Sequence, residues 1–375
     1  MHKLKRTITA IAALVGTLVL TANSFAQAPE IIVVGKEEVK KPQPTVQVIE
    51  RPAVVSFDGN GNGGPELNIV AGFYVMKPFW ESNSAFTRST STTVAGNTTS
   101  TSSTFDFSYG CELAPRIFAE FIGESGLGVR IGWWQFDQRA TQLNPVLAAA
   151  PAGSPTVFIL ANVGGLSNVS LGAGQAENYT LANRLVVSVW DFDVLGRLIS
   201  NDRWDVIGGA GIRYTYMSQT LDNTRVRSGL AAGVINNQES HSRQFFNVGG
   251  PDIFAEGKHY LGGSRLAIYA NGRAGILFGS HHVSSTSITT TATGPGAATT
   301  STSISTTDRR NDVLPFLETE LGVEWQGRGN GRLVPFLRVG VVGQAWFGAG
   351  SGGSSGGADA NMGFFGGNFL AGVSY

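Results

Sequence analysis

Two runs of strict alternation decide the fold: Leu317-Glu318-Thr319-Glu320-Leu321-Gly322-Val323-Glu324-Trp325 and, beyond a turn, Leu337-Arg338-Val339-Gly340-Val341. The turn contains Gly327-Arg328-Gly329-Asn330-Gly331, and the whole segment predicts a β-hairpin. Successive side chains of a strand point to opposite faces, so one face of this hairpin is apolar and the other is charged. In a soluble sandwich the apolar face would be the core. In an outer-membrane barrel it would meet lipid while the charges line a lumen.

The composition favours an all-β protein. The 375 residues include 50 glycines, only 14% are charged, and the formal net charge is zero. We therefore expect no strong polyanion-binding surface and no nucleic-acid partner. Beyond the first residues, no apolar run is long enough to span a bilayer as a helix. The single cysteine, Cys111, excludes an internal disulfide and is interpreted as a small hydrophobe on an apolar face.

The beginning of the chain predicts export. Basic residues precede an apolar run from Ile8 to Leu20, and a small-residue cleavage site follows at Ala26-Gln27-Ala28, with Ser24-Phe25-Ala26 as the alternative. This order is typical of a secretory signal peptide, which we assign to residues 1–28. The Pro- and charge-rich residues 29–65 predict a flexible linker. Within the linker, residues 30–35 faintly resemble an energy-coupling box, and residues 58–63 resemble half of a calcium loop. We interpret both as linker.

From residue 66 onward, alternating runs predict about ten strands whose connections alternate between long and short. The Ser/Thr-rich tracts 81–103 and 284–307 lack an apolar period and are predicted to be long connections. Short turns at one end and long loops at the other are typical of bacterial outer-membrane barrels, and an even strand count lets the sheet close. The predicted strands have about 14 to 18 residues, more than the roughly 9 to 11 that cross a bilayer. We predict a transmembrane antiparallel up-and-down β-barrel over residues 66–375.

The ends of the strands support a membrane location. The last strand keeps aromatic and aliphatic residues on one face and finishes on Tyr375, which is typical of the signal that the outer-membrane assembly machinery reads. Aromatic residues near strand ends predict interfacial girdles. The candidates are Phe79, Trp80, Trp133, Trp204, Trp325, Trp346 and Phe347.

Several blocks together resemble the pore-forming outer-membrane family typified by the Legionella major outer membrane protein. The resemblance spans roughly residues 67 to 375 and depends on the order and spacing of the blocks. It implies a β-barrel porin in the outer membrane of a Gram-negative-type bacterium. The blocks are Trp190-Asp191-Phe192-Asp193-Val194-Leu195-Gly196-Arg197, Gly211-Ile212-Arg213-Tyr214, Gly249-Gly250-Pro251, Lys258-His259-Tyr260-Leu261-Gly262, residues 315–325 and Gly366-Gly367-Asn368-Phe369.

Charged residues of both signs share one face of nearly every strand, which predicts a mixed-charge lumen. The function predicted from this pattern is passive diffusion of small hydrophilic solutes, with weak ion selectivity because the charges nearly balance. Outer-membrane lipid is an expected partner, and homo-oligomerisation is left open. The predicted pore-lining residues are Glu112, Arg116, Arg130, Asp191, Asp193, Arg197, Arg213, Glu256, Lys258, Arg273, Glu318, Glu320, Glu324 and Arg338.

Two other classes of function stay open. The lumen charges of a narrow barrel could pair tightly enough to seal it, which would leave a non-conducting structural or adhesin-like barrel. Ten-stranded outer-membrane barrels also include proteases. The candidate acids and histidines here are Asp222, His241, His281 and Asp308, whose spacing does not indicate a water-activating set. We predict neither an enzyme nor a cofactor, and no metal site, because the adjacent His281 and His282 would point to opposite faces.

Overall fold

The structure, a computed structural model, describes residues 65–81, 83–148, 156–161, 166, 171, 174–262, 264–328, 333–350 and 360–375. The predicted signal peptide and the linker up to residue 64 lie outside these residues, so both stay predictions. Among the described residues, no helix is long and apolar enough to cross a membrane.

Fourteen strands are present in the described part of the chain, and ten of them form a closed antiparallel ring in the order β1-β4-β5-β8-β9-β10-β11-β12-β13-β14. The pairing of β1 with β14, from Asn68 opposite Ser374 to Trp80 opposite Met362, closes the ring. The strands are β1 (Glu66–Trp80), β2 (Ser84–Val94), β3 (Asn97–Asp106), β4 (Glu112–Ile122), β5 (Leu127–Arg139), β6 (Val146–Ala148), β7 (Thr156–Ala161), β8 (Ala176–Ser200), β9 (Trp204–Ser228), β10 (Val234–Tyr260), β11 (Leu266–Thr293), β12 (Thr300–Gln326), β13 (Val334–Trp346) and β14 (Met362–Ser374). The predicted all-β barrel is confirmed.

Short connections lie at one end of the ring, as predicted. The turns between β4 and β5, β8 and β9, and β10 and β11 have few residues. The start of β1 and the end of β14 lie at the same end of the sheet as these turns. In bacterial outer-membrane barrels this end is periplasmic. We therefore call it the periplasmic end and the opposite one the extracellular end.

Two Ser/Thr-rich tracts predicted to be connections are strands instead. Residues 81–103 contribute to β2 and β3, which form a small sheet with β7. Residues 284–307 extend β11 and β12 to 28 and 27 residues. Hydroxyl groups bond across these ladders, as between Thr93 and Thr98 at 2.8 Å. The prediction was wrong because a ribbon with polar residues on both faces has no apolar period, although β-branched threonine favours strands.

The apolar face of the ring points outward. Leu321 and Val341, which would form the core of a soluble sandwich, are each 50% exposed, whereas Glu318 and Glu320 on the other face are 5% exposed. This orientation excludes a soluble sandwich. In a soluble protein with these faces, water would contact the apolar side of nearly every strand, and the charges would fill the interior. Cys111 is exposed and lies in the connection before β4, so it is not part of a strand face as the alternation had predicted.

Aromatic residues form part of an outward row about midway along the long strands β8 to β11. Trp133 of β5 lies opposite Trp190 of β8, which lies opposite Tyr214 of β9. The row continues through Gly249 to Phe278 of β11. Such a row is typical of the interfacial girdle of a membrane barrel. Two predicted girdle members, Trp80 and Trp346, instead pack inward against the buried apolar cluster.

Candidate functional site

The inner face of the ring carries several clusters of ion pairs, together called the network, which is the candidate functional site. All the predicted pore-lining residues except Glu112 take part in it, with partners on other strands. Glu112 lies at the start of β4 on the same inward parity as Ala114, and it forms no ion pair with any residue that the structure describes. The network forms because each barrel strand places alternate residues on its inner face.

Arg273 is the centre of the first cluster. Its guanidinium group lies 2.7 Å from an oxygen of Asp252, 2.6 Å from one of Asp193 and 3.3 Å from one of Asp191. Arg213 also binds Asp191, with Nε 2.7 Å from Oδ1, and its Nη1 lies 3.2 Å from Glu318. Strands β8, β9, β10, β11 and β12 are thereby connected through the interior.

Glu320 is the centre of the second cluster. Its carboxylate accepts hydrogen bonds from Arg116 of β4 at 2.5 Å, from the hydroxyl of Tyr74 on β1 at 2.7 Å and from Asn368 of β14 at 2.8 Å. The side chain of Arg116 also lies over the ring of Tyr74, with 4.8 Å from Cζ to the ring centroid. Because β4 and β12 are separated by β1, β14 and β13 around the ring, these bonds cross the lumen.

The third cluster lies nearer the periplasmic end. Glu256 accepts from Arg130 at 3.0 Å and from Arg338 at 3.0 Å, and Arg338 also donates to Glu324 at 2.7 Å. Lys258 lies 3.1 Å from Glu324. At the periplasmic mouth Arg197 pairs with Glu66 and Asp205.

These clusters leave little free space between them. One cavity of about 20 Å³ lies among the arginines and carboxylates of the network, which is room for about one water. Towards the extracellular end, the lumen is filled by buried apolar side chains. They include Trp134, Phe136, Val189, Phe246, Leu277, Phe316, Trp346 and Phe364. In the described residues, charged and apolar side chains therefore fill much of the interior.

Sequence reasoning missed several members of the network. Glu120 and Asp252 pair with Arg130 and Arg273, and both share the charged face that the alternation had already indicated. Tyr74 and Asn368 carry no charge, so only the barrel geometry reveals them as partners of Glu320.

The protease candidates do not assemble into one site. Nδ1 of His241 lies 2.5 Å from Asp222 on an exposed outer face, whereas His281 is buried on the inner face and stacks on Phe246 with 4.1 Å between ring centroids. Burial and the neighbouring Arg310 lower the pKa of His281, which lies beyond the aromatic row. Among the described residues, no group of three or more His, Cys, Asp or Glu could hold a metal ion.

The family model described as the Legionella pneumophila major outer membrane protein precursor matches residues 64–351. The chain belongs to this family. The match covers nearly the whole ring, so the resemblance inferred from the sequence blocks is confirmed, and the protein is an outer-membrane protein. No curated protein matches the sequence.

Solved structures share only the barrel class. The outer membrane protease OmpT from Escherichia coli aligns at a TM-score of 0.36 and 10% identity, over 83% of this chain and 96% of its own. A mutant of TodX, a monoaromatic hydrocarbon channel, aligns at a TM-score of 0.24 and 6% identity, over 84% of this chain and 91% of its own. Similarity at this level gives no argument about the activity of this family member.

Proposed function

We propose that this protein is an outer-membrane barrel whose lumen is sealed at rest, and that it anchors the polar strands that project from its extracellular end. The observation that carries the proposal is the packed interior, with a cavity of only about 20 Å³ among the charges. A hydrated solute needs far more room than about one water occupies.

The strands that project beyond the membrane are the part of the barrel that would be presented at the extracellular end. Strands β8 to β12 have 25 to 28 residues, whereas about 9 to 11 tilted residues cross a bilayer. More than half of each strand therefore extends beyond the membrane. The outer part of β12, from Thr300 to Asn311, is exposed throughout. This polar surface supports a structural or adhesin-like role.

Passive diffusion of small hydrophilic solutes is the second candidate function, and the charged network favours it. Replacing a buried ion pair with apolar residues is often neutral or stabilising, so stability alone does not require a charged interior. If the pairs separated and hydrated, their charges would line a hydrophilic path of nearly balanced sign. Diffusion through this barrel requires both the network and the apolar cluster above it to move.

We propose no catalytic activity and no cofactor for this protein. The supporting observation is that His241 and His281 lie on opposite faces of the sheet, so they cannot activate one water together. We also propose that the assembly machinery reads β14 and its terminal Tyr375, whose backbone pairs with Leu67 at the periplasmic end.

Conductance in a planar bilayer tests the sealed lumen. The full mature chain, refolded and verified by heat-dependent electrophoretic mobility, is expected to insert and to pass no current above the lipid background. Steady current from the folded wild-type protein would overturn the proposal in favour of the porin.

Two variants show whether an absence of current from the wild-type protein is due to the side chains that fill the lumen. Trp346→Ala removes an inward tryptophan that is 1% exposed, whereas Trp325→Ala removes an outward one that is 42% exposed. We expect current only from Trp346→Ala. Equal current from both variants would show that the leak does not pass through the lumen.

A further inference from the structure

We propose that an outward basic patch beyond the extracellular girdle binds the phosphate-bearing headgroup of an outer-leaflet lipid. The patch consists of Arg243 and Phe245 on β10, His282 on β11 and Arg309 on β12. It lies on the opposite face of the sheet from the lumen network and is independent of whether the barrel conducts.

The members of the patch are contiguous. The guanidinium of Arg243 lies over the ring of Phe245, with 5.2 Å from Cζ to the centroid. Phe245 stacks on His282 at 4.6 Å between ring centroids, with an angle of 5° between the planes. Arg309 lies directly opposite His282 in the strand register, so adjacent strands place the two side chains about 5 Å apart at their bases.

Neither arginine of the patch is neutralised by a carboxylate. Arg243 donates to the hydroxyls of Tyr216 and Ser218, and it forms no ion pair with a described residue. Arg309 is exposed and likewise has no acidic partner in the described part of the chain. The nearest outward acid on β9, Asp222, is paired with His241. Two guanidinium groups and an imidazole without carboxylate partners among the described residues favour an anionic ligand, and guanidinium geometry matches phosphate.

The position of the patch indicates a lipid as the occupant. His282 follows Phe278 of the aromatic row by four residues, which is about 13 Å along the strand and roughly 10 Å along the membrane normal at the usual tilt. Lipid headgroups occupy roughly 5 to 8 Å outside the hydrocarbon on each side. Arginine side chains at this height can reach down to headgroup phosphates. They are therefore placed to bind a lipid whose acyl chains cover the apolar belt below.

The same surface provides a matched control. Arg184 on β8 lies at the height of Arg243, since both pair with Thr220 of β9, and it also faces outward. Its guanidinium is already bound to Asp137 through Nε at 2.8 Å. A lipid phosphate would have to compete with this carboxylate, so Arg184 is expected to contribute little.

The test measures lipid retained by the full chain refolded in neutral micelles. Phosphatidic acid, which carries a phosphate monoester, is titrated in and counted as bound adducts by native mass spectrometry, with phosphatidylcholine as the reference lipid. We expect affinity for phosphatidic acid to fall about fivefold in Arg243→Gln or Arg309→Gln and about thirtyfold in the double variant. Arg184→Gln is expected to stay within about twofold of the wild type.

Three outcomes would overturn the proposal. The first is a double variant that binds phosphatidic acid as well as Arg184→Gln does. The second is equal retention of phosphatidylcholine by the wild type, which would mean that the phosphate charge is not recognised. The third is complete displacement of phosphatidic acid by inorganic phosphate that binds with the same affinity, because the site would then be one for a free anion. All of the substituted side chains are outward and exposed or partly exposed, so each variant is expected to fold.

Discussion

Replacing Arg273 with methionine tests whether the ion pairs of the lumen are dry. Among the described residues, Arg273 is the only cation within 4 Å of Asp193, whose side chain is fully buried. Asp252 would keep only Arg213 at 4.0 Å, while Asp191 would keep its bond to Arg213 at 2.7 Å. The substitution therefore leaves one buried carboxylate without a partner and weakens a second.

The expected loss is about 3 to 5 kcal/mol of unfolding free energy, because removing one partner of a buried pair leaves an uncompensated charge in a low-dielectric interior. Arg184→Met is the comparison. Its ion pair with Asp137 is on the outer face, with side chains that are 45% and 36% exposed, so its loss is expected to cost between about 0 and 1 kcal/mol.

The measurement is reversible urea unfolding of the refolded barrel in lipid vesicles, followed by tryptophan fluorescence. Adding Asp193→Asn to the Arg273→Met variant should recover part of the loss, since the unpaired charge is then gone. The reasoning fails if Arg273→Met is no more destabilising than Arg184→Met. In that case water already reaches the network, and the diffusion function gains support.

Two further predictions concern the membrane-facing surface and the closure of the ring. Leu321→Arg in the lipid-facing belt should lower the unfolding free energy by about 2 to 4 kcal/mol. Ile304→Arg lies on the projecting part of the same strand, where the side chain is 64% exposed, and should lower it by almost nothing. Equal effects of the two variants in urea titrations would contradict the outward orientation of the apolar face. Gly366→Ala should lower the yield of folded barrel, because a methyl group there would overlap the carbonyl oxygen of Val75 across the β1–β14 seam. Gly272→Ala has open space around the new methyl group and should fold normally, so equal refolding yields on gels would argue against this seam.

The barrel could be inferred from alternation because the environment of each side chain in a membrane strand depends on its position in the local sequence. Each residue faces either lipid or lumen, so the period of two at residues 317–325 already separates Leu321 from Glu320. The strand count and the short periplasmic turns follow from the spacing of such runs. The Ser/Thr extensions of β11 and β12 could not be found this way, because both of their faces are polar and give no periodic signal.

The sequence by itself determined which face of each strand carries the charges, and hence the residues that meet inside the ring. It could not determine their partners, since Arg116 and Glu320 are 204 positions apart and meet only when ten strands close at a fixed radius. Closure also brought Trp346, Phe316 and Phe364 into the extracellular half of the lumen. Only the tertiary structure decided that the interior is filled, because the width of a barrel depends on all of its strands together.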